Sequence, residues 1–259
     1  MNCKMIIEYD GTQFFGWQQQ PKHRTVQGEI VKALSFYAKE EVQIEGSGRT
    51  DRGVHADGQV ASFNWPGPIP VERLKMVLNK RLPEDIHIRN VEPASKDDFH
   101  ARFDAKGKVY TYRFLLADEP KPTFRNIMAR IPTTVDTLAM EEAARAMVGT
   151  HDFKAFMASG SFVTDTVRTV FDVQVRRTGN YMAVRFFGSG FLYNMVRIMS
   201  GLLIDVGLGK KQPGDILPII LSGDRTRAER TAPASGLTLT QVFYSEEEMT
   251  QKRQEEWSA

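Results

Sequence analysis

One carboxylate between two arginines stands out among the residues of this sequence that could carry out chemistry. Residues 46–58 contain Asp51 flanked by Arg49 and Arg52, with His55 close behind and several glycines around them. Glycines allow sharp turns and let the backbone approach a ligand closely. The two arginines favour the ionised form of Asp51 and can also bind phosphates. An ionised carboxylate can act as a nucleophile or as a base, and residue types alone do not separate the two roles.

Several other interpretations of residues 46–58 have to be weighed. A plain glycine-rich surface loop carrying an Asp–Arg pair remains open. The segment lacks the Gly-Lys-Ser/Thr ending of a phosphate-binding loop, and the predicted element after it is a strand, unlike a dinucleotide fingerprint. The five histidines of the chain are scattered, and no two have the spacing of metal ligands. Asp51 and Asp57 could form the acid pair of a glycosidase, and the residues alone leave that alternative open.

Composition places the chain among ordinary globular proteins. Its 259 residues are 41% hydrophobic and 25% charged, with a net charge of +2. The single cysteine, Cys3, cannot form an internal disulfide, which favours a reducing compartment such as the cytoplasm. The most apolar stretch, residues 191–208, contains Arg197 and Asp205, so it predicts a buried helix and not a membrane span. From Ser245 onward the chain is acidic and predicts a charged tail.

The first 105 residues predict one α/β domain. Residues 26–37 and 74–82 have helical spacing of apolar side chains, with Thr25 as the N-cap of the first helix. Apolar and β-branched runs predict strands at residues 3–9, 42–45, 59–64 and 86–91. The order strand, helix, strand, strand, helix, strand is typical of a ferredoxin-like or RNA-recognition-like unit.

Residues 106–259 predict a second α/β domain with a similar mixture of elements. We expect a hairpin around the Thr-Gly-Asn turn at residues 178–180. The predicted strands are residues 109–116, 167–175, 181–187 and 237–244, and the predicted helices are residues 136–148, 191–206 and 215–221. No low-complexity linker separates this half from the first, so we expect the two halves to pack tightly.

Residues 48–56, Gly-Arg-Thr-Asp-Arg-Gly-Val-His-Ala, resemble the active-site motif of the bacterial tRNA pseudouridine synthase A family. The resemblance does not depend on one motif. Further blocks resemble the family in the same order along nearly the whole chain, at residues 9–11, 16–20, 25–28, 79–86, 99–103, 110–113, 190–197 and 231–239.

The resemblance implies both a fold and a reaction. The implied fold is α/β (α+β), with two ferredoxin-like or RNA-recognition-like domains packed around a central active-site cleft. The implied reaction is the isomerisation of uridine to pseudouridine in the anticodon stem-loop of tRNA. Asp51 would be the essential carboxylate, Tyr110 the base-stacking residue, Arg197 the ion-pair partner of Asp51, and Leu237 a packing residue beside the tyrosine or the target base.

The resemblance also implies binding partners. The target uridine must be flipped out of its stack, which costs a few kcal/mol that phosphate contacts and stacking must offset. Candidates for those contacts are Arg49, Arg52, His55, His100 and Arg102, and an outer basic rim could comprise Lys210, Lys211, Arg225, Arg227 and Arg230. A homodimer in the cytoplasm is implied. We expect no cofactor, because isomerisation involves no redox change, and no metal or membrane partner.

Two other classes of protein remain as alternatives. The first is an RNA-binding protein on the same fold that has no activity, since fold alone does not fix function. The second is a glycosidase or nucleosidase that uses Asp51 and Asp57. Release of free uracil would favour the second class, whereas retention of the base in the RNA would favour an isomerase.

Overall fold

A computed structural model describes residues 1–160 and 163–259 of the chain, and these residues group into two compact units. Unit 1 contains Met1–Lys106 and Thr238–Ser245, and unit 2 contains Gly107–Leu237 and Glu246–Ala259. The mixed α/β fold class predicted from the sequence is confirmed.

Unit 1 has the strand and helix order that the sequence predicts. Its elements are β1 (Asn2–Tyr9), α1 (Val26–Ala38), β2 (Glu45–Gly46), β3 (His55–Asn64), α2 (Val71–Arg81) and β4 (Ile86–Pro93). β1 lies between β3 and β4 and pairs antiparallel with both, while β2 pairs antiparallel with the other edge of β3. The resulting order β4-β1-β3-β2 is that of a split βαβ unit.

The last strand of the chain, β10 (Leu237–Phe243), also joins the sheet of unit 1. Thr238 and Leu239 pair in parallel with His55 and Ala56 at the start of β3. This pairing, together with Tyr9 of β1 against Ala56, explains why β3 begins at residue 55 and not at residue 59 as predicted. Pairing with β1 and β10 therefore extends β3 to His55, four residues after Asp51.

The predicted strand at residues 42–45 is mostly absent, for a reason visible in its hydrogen bonds. The N–H of Val42 donates to Ser35 Oγ at 3.0 Å, and the carbonyl of Ile44 accepts from Gln27 Nε2 at 2.9 Å. Both apolar side chains are buried, so the hydrophobic pattern is real. Side chains of α1 satisfy the backbone groups that a strand partner would otherwise bind, and β2 forms only at residues 45 and 46.

Unit 2 contains both strands and helices. Its strands are β5 (Gly107–Leu116), β6 (Ala129–Ile131), β7 (Gly149–Asp152), β8 (Val167–Thr178) and β9 (Tyr181–Gly188), and its helices are α3 (Thr137–Arg145), α4 (Met195–Gly207), α5 (Ile216–Ser222) and α6 (Glu246–Gln254). β5, β9, β8 and β7 pair antiparallel in that order, and β6 pairs in parallel with β5. Helix α3 packs on β8. The predicted hairpin is the β8–β9 turn, where Thr178 pairs with Tyr181.

The predicted helix at residues 191–206 begins four residues later than expected. Asn194 has left-handed backbone, with φ of 59°, and therefore cannot continue a right-handed helix. α4 starts at Met195, and nearly all of its side chains are buried. None of the helices in the described parts of the chain combines the length and the apolar character that a membrane crossing requires.

We predict that the cap of α1 contributes measurably to stability. Thr25 is 2% exposed, and its Oγ1 accepts a hydrogen bond from the N–H of Gly28. Thr25→Ala removes this acceptor and should lower the free energy of unfolding in urea by about 1 kcal/mol. Thr25→Ser keeps the hydroxyl and should lose much less, so equal losses in both variants would exclude capping as the cause.

Candidate active site

Asp51 lies in a tight turn between β2 and β3. Its side chain is half-buried, while Arg49 and Arg52 on either side are exposed. The carbonyl of Asp51 accepts from the N–H of Val54 at 3.1 Å, and Gly53 has φ of +79°, which a residue with a side chain rarely adopts. The glycine thus closes the turn that presents the carboxylate.

A buried polar contact holds the residue before Asp51. The hydroxyl groups of Tyr9 and Thr50 lie 2.7 Å apart, and the two residues are 3% and 6% exposed. Burial raises the pKa of Tyr9, although hydrogen bonds to Thr50 and Gln59 oppose the rise, so the neutral phenol is stabilised. Strand β1 therefore fixes the loop through a bond that water does not screen.

Gln59 fixes the beginning of the same loop. Its Oε1 accepts from Ser47 Oγ at 2.7 Å, and its Nε2 donates to the carbonyl of Gly48 at 2.9 Å. Gln59 is fully buried on β3, and its bond with Ser47 forms away from solvent. Loop residues on the N-terminal side of Asp51 are thus anchored at several points.

The loop also lies directly against the chain that follows β1. A Cβ atom on Gly11 would come within 2.0 Å of the Val54 carbonyl oxygen, and one on Gly16 within 2.6 Å of the Thr50 oxygen. The N–H of Trp17 donates to that Thr50 oxygen at 3.1 Å. These contacts were not predicted from the sequence, although the glycines at residues 11 and 16 were a signal that backbones meet closely there.

The His55 side chain contacts Asp10 and Gly11 of unit 1. It is 7% exposed, and its Nδ1 accepts from the N–H of Gly11 at 3.1 Å. The same nitrogen lies 3.1 Å from Asp10 Oδ1. Burial would raise the pKa of Asp10, but hydrogen bonds from Thr12 and the nearby His55 outweigh it and hold that pKa below its ordinary value.

The two predicted arginines of the loop both contact neighbouring side chains. Arg49 Nε donates to Gln18 Oε1 at 3.1 Å, and the guanidinium of Arg52 lies 4.5 Å from the centre of the Phe15 ring. Both arginines remain exposed to solvent, which leaves donors available for phosphate groups.

His100 and Arg102 lie in a short turn tied together by Asp104. The Asp104 carboxylate accepts from the N–H of His100 at 2.8 Å and from Lys96 Nζ at 2.9 Å. The His100 N–H is the main reason, with Lys96 next, that the pKa of Asp104 lies below its ordinary value. Arg102 donates its backbone N–H to His100 Nδ1, and its side chain is exposed.

In unit 2, Tyr110 lies near the start of β5 with little of its surface in solvent. It is 8% exposed, and its ring meets Phe191 edge to face with centroids 5.3 Å apart. Tyr112 shares its strand face, because side chains two residues apart point the same way. The Tyr112 hydroxyl donates to the carbonyl of Pro233 at 2.6 Å, and burial raises its pKa against the opposing charges of Arg197 and Arg230.

Arg197 extends from the first turn of α4 and is held at two points. Its Nε donates to the carbonyl of Ala232 at 2.8 Å, and its Nη1 donates to Asn194 Oδ1 at 2.7 Å. Ala232 returns its N–H to the carbonyl of Arg197 at 3.0 Å. The guanidinium orientation is therefore fixed by the segment leading to Leu237, which is itself 5% exposed.

The proposed basic rim divides into two kinds of residue. Arg230 forms an ion pair with Asp205 of α4 at 3.0 Å. Arg225 donates a hydrogen bond to the Thr231 hydroxyl at 2.8 Å. Both arginines therefore already have partners within unit 2. Lys210 and Arg227 are exposed, and Lys211 is half-buried. In the described residues, no cluster of three or more His, Cys, Asp or Glu side chains could hold a metal ion.

Comparison with known proteins identifies the family. A family model described as tRNA pseudouridine synthase matches residues 5–104 and 143–245. The chain belongs to this family. It is 47% identical to tRNA pseudouridine synthase A of Bacillus licheniformis, over 94% of this chain and 99% of that protein. It is 44% identical to tRNA pseudouridine synthase A 2 of Clostridium perfringens over the same shares of each chain, and 46% identical to the Geobacillus kaustophilus enzyme over 94% and 95%.

The resemblance inferred from sequence motifs is therefore confirmed at the level of the family. The residues that match the tRNA pseudouridine synthase model include Asp51, Arg197 and Leu237, but not Tyr110. Among solved structures, a Cbf5–Nop10–Gar1 complex aligns with 78% of this chain and 54% of that chain, at 13% identity and a TM-score of 0.34. That likeness is too weak to support a conclusion.

We predict that the Tyr9 hydroxyl stabilises the Asp51 loop in this synthase. Tyr9→Phe leaves a buried Thr50 hydroxyl without its partner and should cost about 1–2 kcal/mol of unfolding free energy. Amide hydrogen exchange should accelerate in residues 47–54. Tyr37→Phe is the matched control, because it removes a hydroxyl that bonds to the Val77 carbonyl outside the loop. Equal exchange in the loop of both variants would contradict the prediction.

Proposed function

We propose that this chain isomerises uridine to pseudouridine in the anticodon stem-loop of tRNA, with Asp51 as its catalytic carboxylate. The observation that carries the proposal is a half-buried Asp51 in an anchored turn, inside the region that matches the tRNA pseudouridine synthase family. Catalytic groups need a fixed position, and the anchors at Thr50 and Gly48 supply one.

The reaction balances without an external reagent. The bond between ribose C1′ and uracil N1 breaks, the base turns, and a bond forms between C1′ and C5. The C5 proton leaves and N1 gains a proton, so nothing is oxidised or reduced and no cofactor is required. Asp51 would serve either as the nucleophile at C1′ or as the base that takes a sugar proton.

We assign supporting roles to three residues of unit 2. The ring of Tyr110 would stack on the uracil, and its hydroxyl would relay a proton. Arg197 would keep Asp51 ionised through its fixed positive charge, which its bonds to Ala232 and Asn194 already orient. Leu237 would pack against the tyrosine or the target base. All three are proposed to act on the same uridine as Asp51.

The remaining predicted residues would bind RNA. Arg49, Arg52 and Arg102 are exposed and would contact phosphates around the flipped nucleotide. His100 is half-buried and would orient Arg102, whose N–H it accepts. His55 is buried against Asp10 and Gly11, so we propose that it supports the loop beneath the substrate.

We further propose a homodimer in the cytoplasm. A reducing compartment fits a chain with a single cysteine, Cys3, which is buried and unable to form an internal disulfide. Light scattering coupled to gel filtration tests the dimer, since a mass near 29.3 kDa would instead indicate a monomer.

We predict that Asp51→Asn abolishes turnover and leaves folding and tRNA binding largely intact. Asparagine keeps the size of the side chain but removes the charge that would serve the transition state. Tritium release from uridine labelled at C5 should fall by at least about a thousandfold, which is comparable to the loss when a catalytic residue of a serine protease is replaced. Release near the wild-type rate would show that Asp51 is not catalytic, and release of free uracil by the wild-type chain would indicate a nucleosidase.

Two further variants separate the proposed roles in the same assay. Tyr110→Phe keeps the stacking ring and removes the hydroxyl, so it should slow proton transfer while leaving tRNA affinity unchanged. Arg197→Met keeps the apolar stem and removes the charge, so it should shift the acid limb of the pH–rate profile upward by raising the pKa of Asp51. An unchanged profile would exclude the proposed role of Arg197.

We also predict that tRNA binding weakens steeply with salt. Neutralisation of phosphates by arginine and lysine releases counterions, so the logarithm of affinity should fall linearly with the logarithm of salt concentration. If the three exposed arginines each neutralise one phosphate, the slope should be steeper than about −2. An affinity that stays flat across the titration would contradict an extended contact with the RNA backbone.

A further inference from the structure

The loop between β1 and α1 carries a stack of exposed rings that the proposed mechanism does not use. Phe15 and His23 lie face to face, with ring centroids 3.9 Å apart and planes within 8° of parallel. The guanidinium of Arg52 lies over the same Phe15 ring at 4.5 Å. Phe15 is 37% exposed, and both His23 and Arg52 are exposed. The Phe15 ring thus contacts both the His23 ring and the Arg52 guanidinium, and all three side chains are exposed to solvent.

This loop is held in shape before any ligand binds. The N–H of Phe15 donates to the carbonyl of Arg24 at 2.8 Å, which closes the loop at its base. Arg24 in turn forms two hydrogen bonds with Asp85, at 2.7 and 2.8 Å, and covers the Phe14 ring at 4.2 Å. A preformed surface loses little conformational entropy on binding.

The stack lies beside the proposed catalytic residue. Arg52 follows Asp51 directly in the chain, and the Trp17 N–H bonds to the Thr50 carbonyl on the other side of Asp51. Stacked aromatic rings with a guanidinium are the chemistry that binds the flat face of a nucleobase, and such stacking tolerates any base. One of these side chains, that of Arg52, thus lies next to Asp51 in the chain, where the proposed reaction would leave unpaired nucleotides.

We propose that Phe15, His23 and Arg52 form a stacking platform for an unpaired nucleobase of the RNA that neighbours the target uridine. The proposal rests on the proposed function, because it assumes that Asp51 acts on a uridine in RNA. The platform holds the neighbouring base after the target leaves the stack, and it thereby favours the flipped state.

Another aromatic–cation cluster in unit 1 provides a matched control. Phe36 on α1 is 45% exposed and lies under Arg81 at 3.6 Å and Lys39 at 4.6 Å. Its neighbouring ring, Tyr37, meets it edge to face and so forms no parallel stack. Phe36→Leu therefore removes an exposed aromatic–cation contact without altering the proposed platform.

The test is a binding cycle between protein variants and anticodon stem-loop RNAs. Affinities of the wild-type protein, Phe15→Leu, His23→Ala and Phe36→Leu are measured by fluorescence anisotropy at one salt concentration. Each protein is titrated with the intact RNA and with RNAs that carry a single abasic nucleotide beside the target uridine. Thermal unfolding verifies that each variant is folded, and His23→Ala, an exposed position, preserves the test if Phe15→Leu fails to fold.

Phe15→Leu and His23→Ala should bind intact RNA at least about fivefold more weakly, while Phe36→Leu binds like the wild type. The loss should disappear with the RNA that lacks the stacked base. Unchanged affinity of both platform variants, an equal loss in Phe36→Leu, or a loss that persists with every abasic RNA would each overturn the platform. A wild-type protein that binds the RNA but forms no pseudouridine would overturn the proposed function. The affinities of the variants for intact and abasic RNA would still test whether the platform binds a base.

Discussion

The proposed active site depends on one steric constraint, the contact between two backbones with no room for a side chain between them. The chain after β1 meets the Asp51 loop at Gly11 and Gly16, where an added Cβ would overlap the carbonyl oxygens of Val54 and Thr50. Tightly packed interiors transmit strain, so the loop cannot move without disturbing the chain that follows β1. The position of the carboxylate is therefore a consequence of packing in unit 1.

Buried hydrogen bonds also fix the residues that precede Asp51 in the loop. The Tyr9–Thr50 bond and the bond of Gln59 to Ser47 form away from water, where such bonds are strong and unpaired groups are costly. They leave few alternative arrangements for the residues before Asp51. Arg49 and Arg52, by contrast, are exposed, so guanidinium donors of both residues can reach phosphate groups.

In unit 2, hydrogen bonds to acceptors orient Arg197, which is proposed to act in the site. Arg197 emerges from an otherwise buried helix, and a charge in that setting needs its donors satisfied. The carbonyl of Ala232 and the side chain of Asn194 accept from it, and the left-handed backbone of Asn194 places that side chain at the helix start. The segment 230–237 is thereby held against α4 just before it continues into β10.

Local patterns in the sequence determined much of this protein. Helical spacing and the Thr25 cap predicted α1, apolar and β-branched runs predicted β1, and ordered motifs predicted the family, because each signal lies within a few neighbouring residues. Only the tertiary structure decided the return of β10 to β3, the loss of a strand at residues 42–44, and the partners of Thr50, His55 and Arg197. Most of these features join residues in different elements of the chain, and their hydrogen bonds leave no periodic pattern in the sequence.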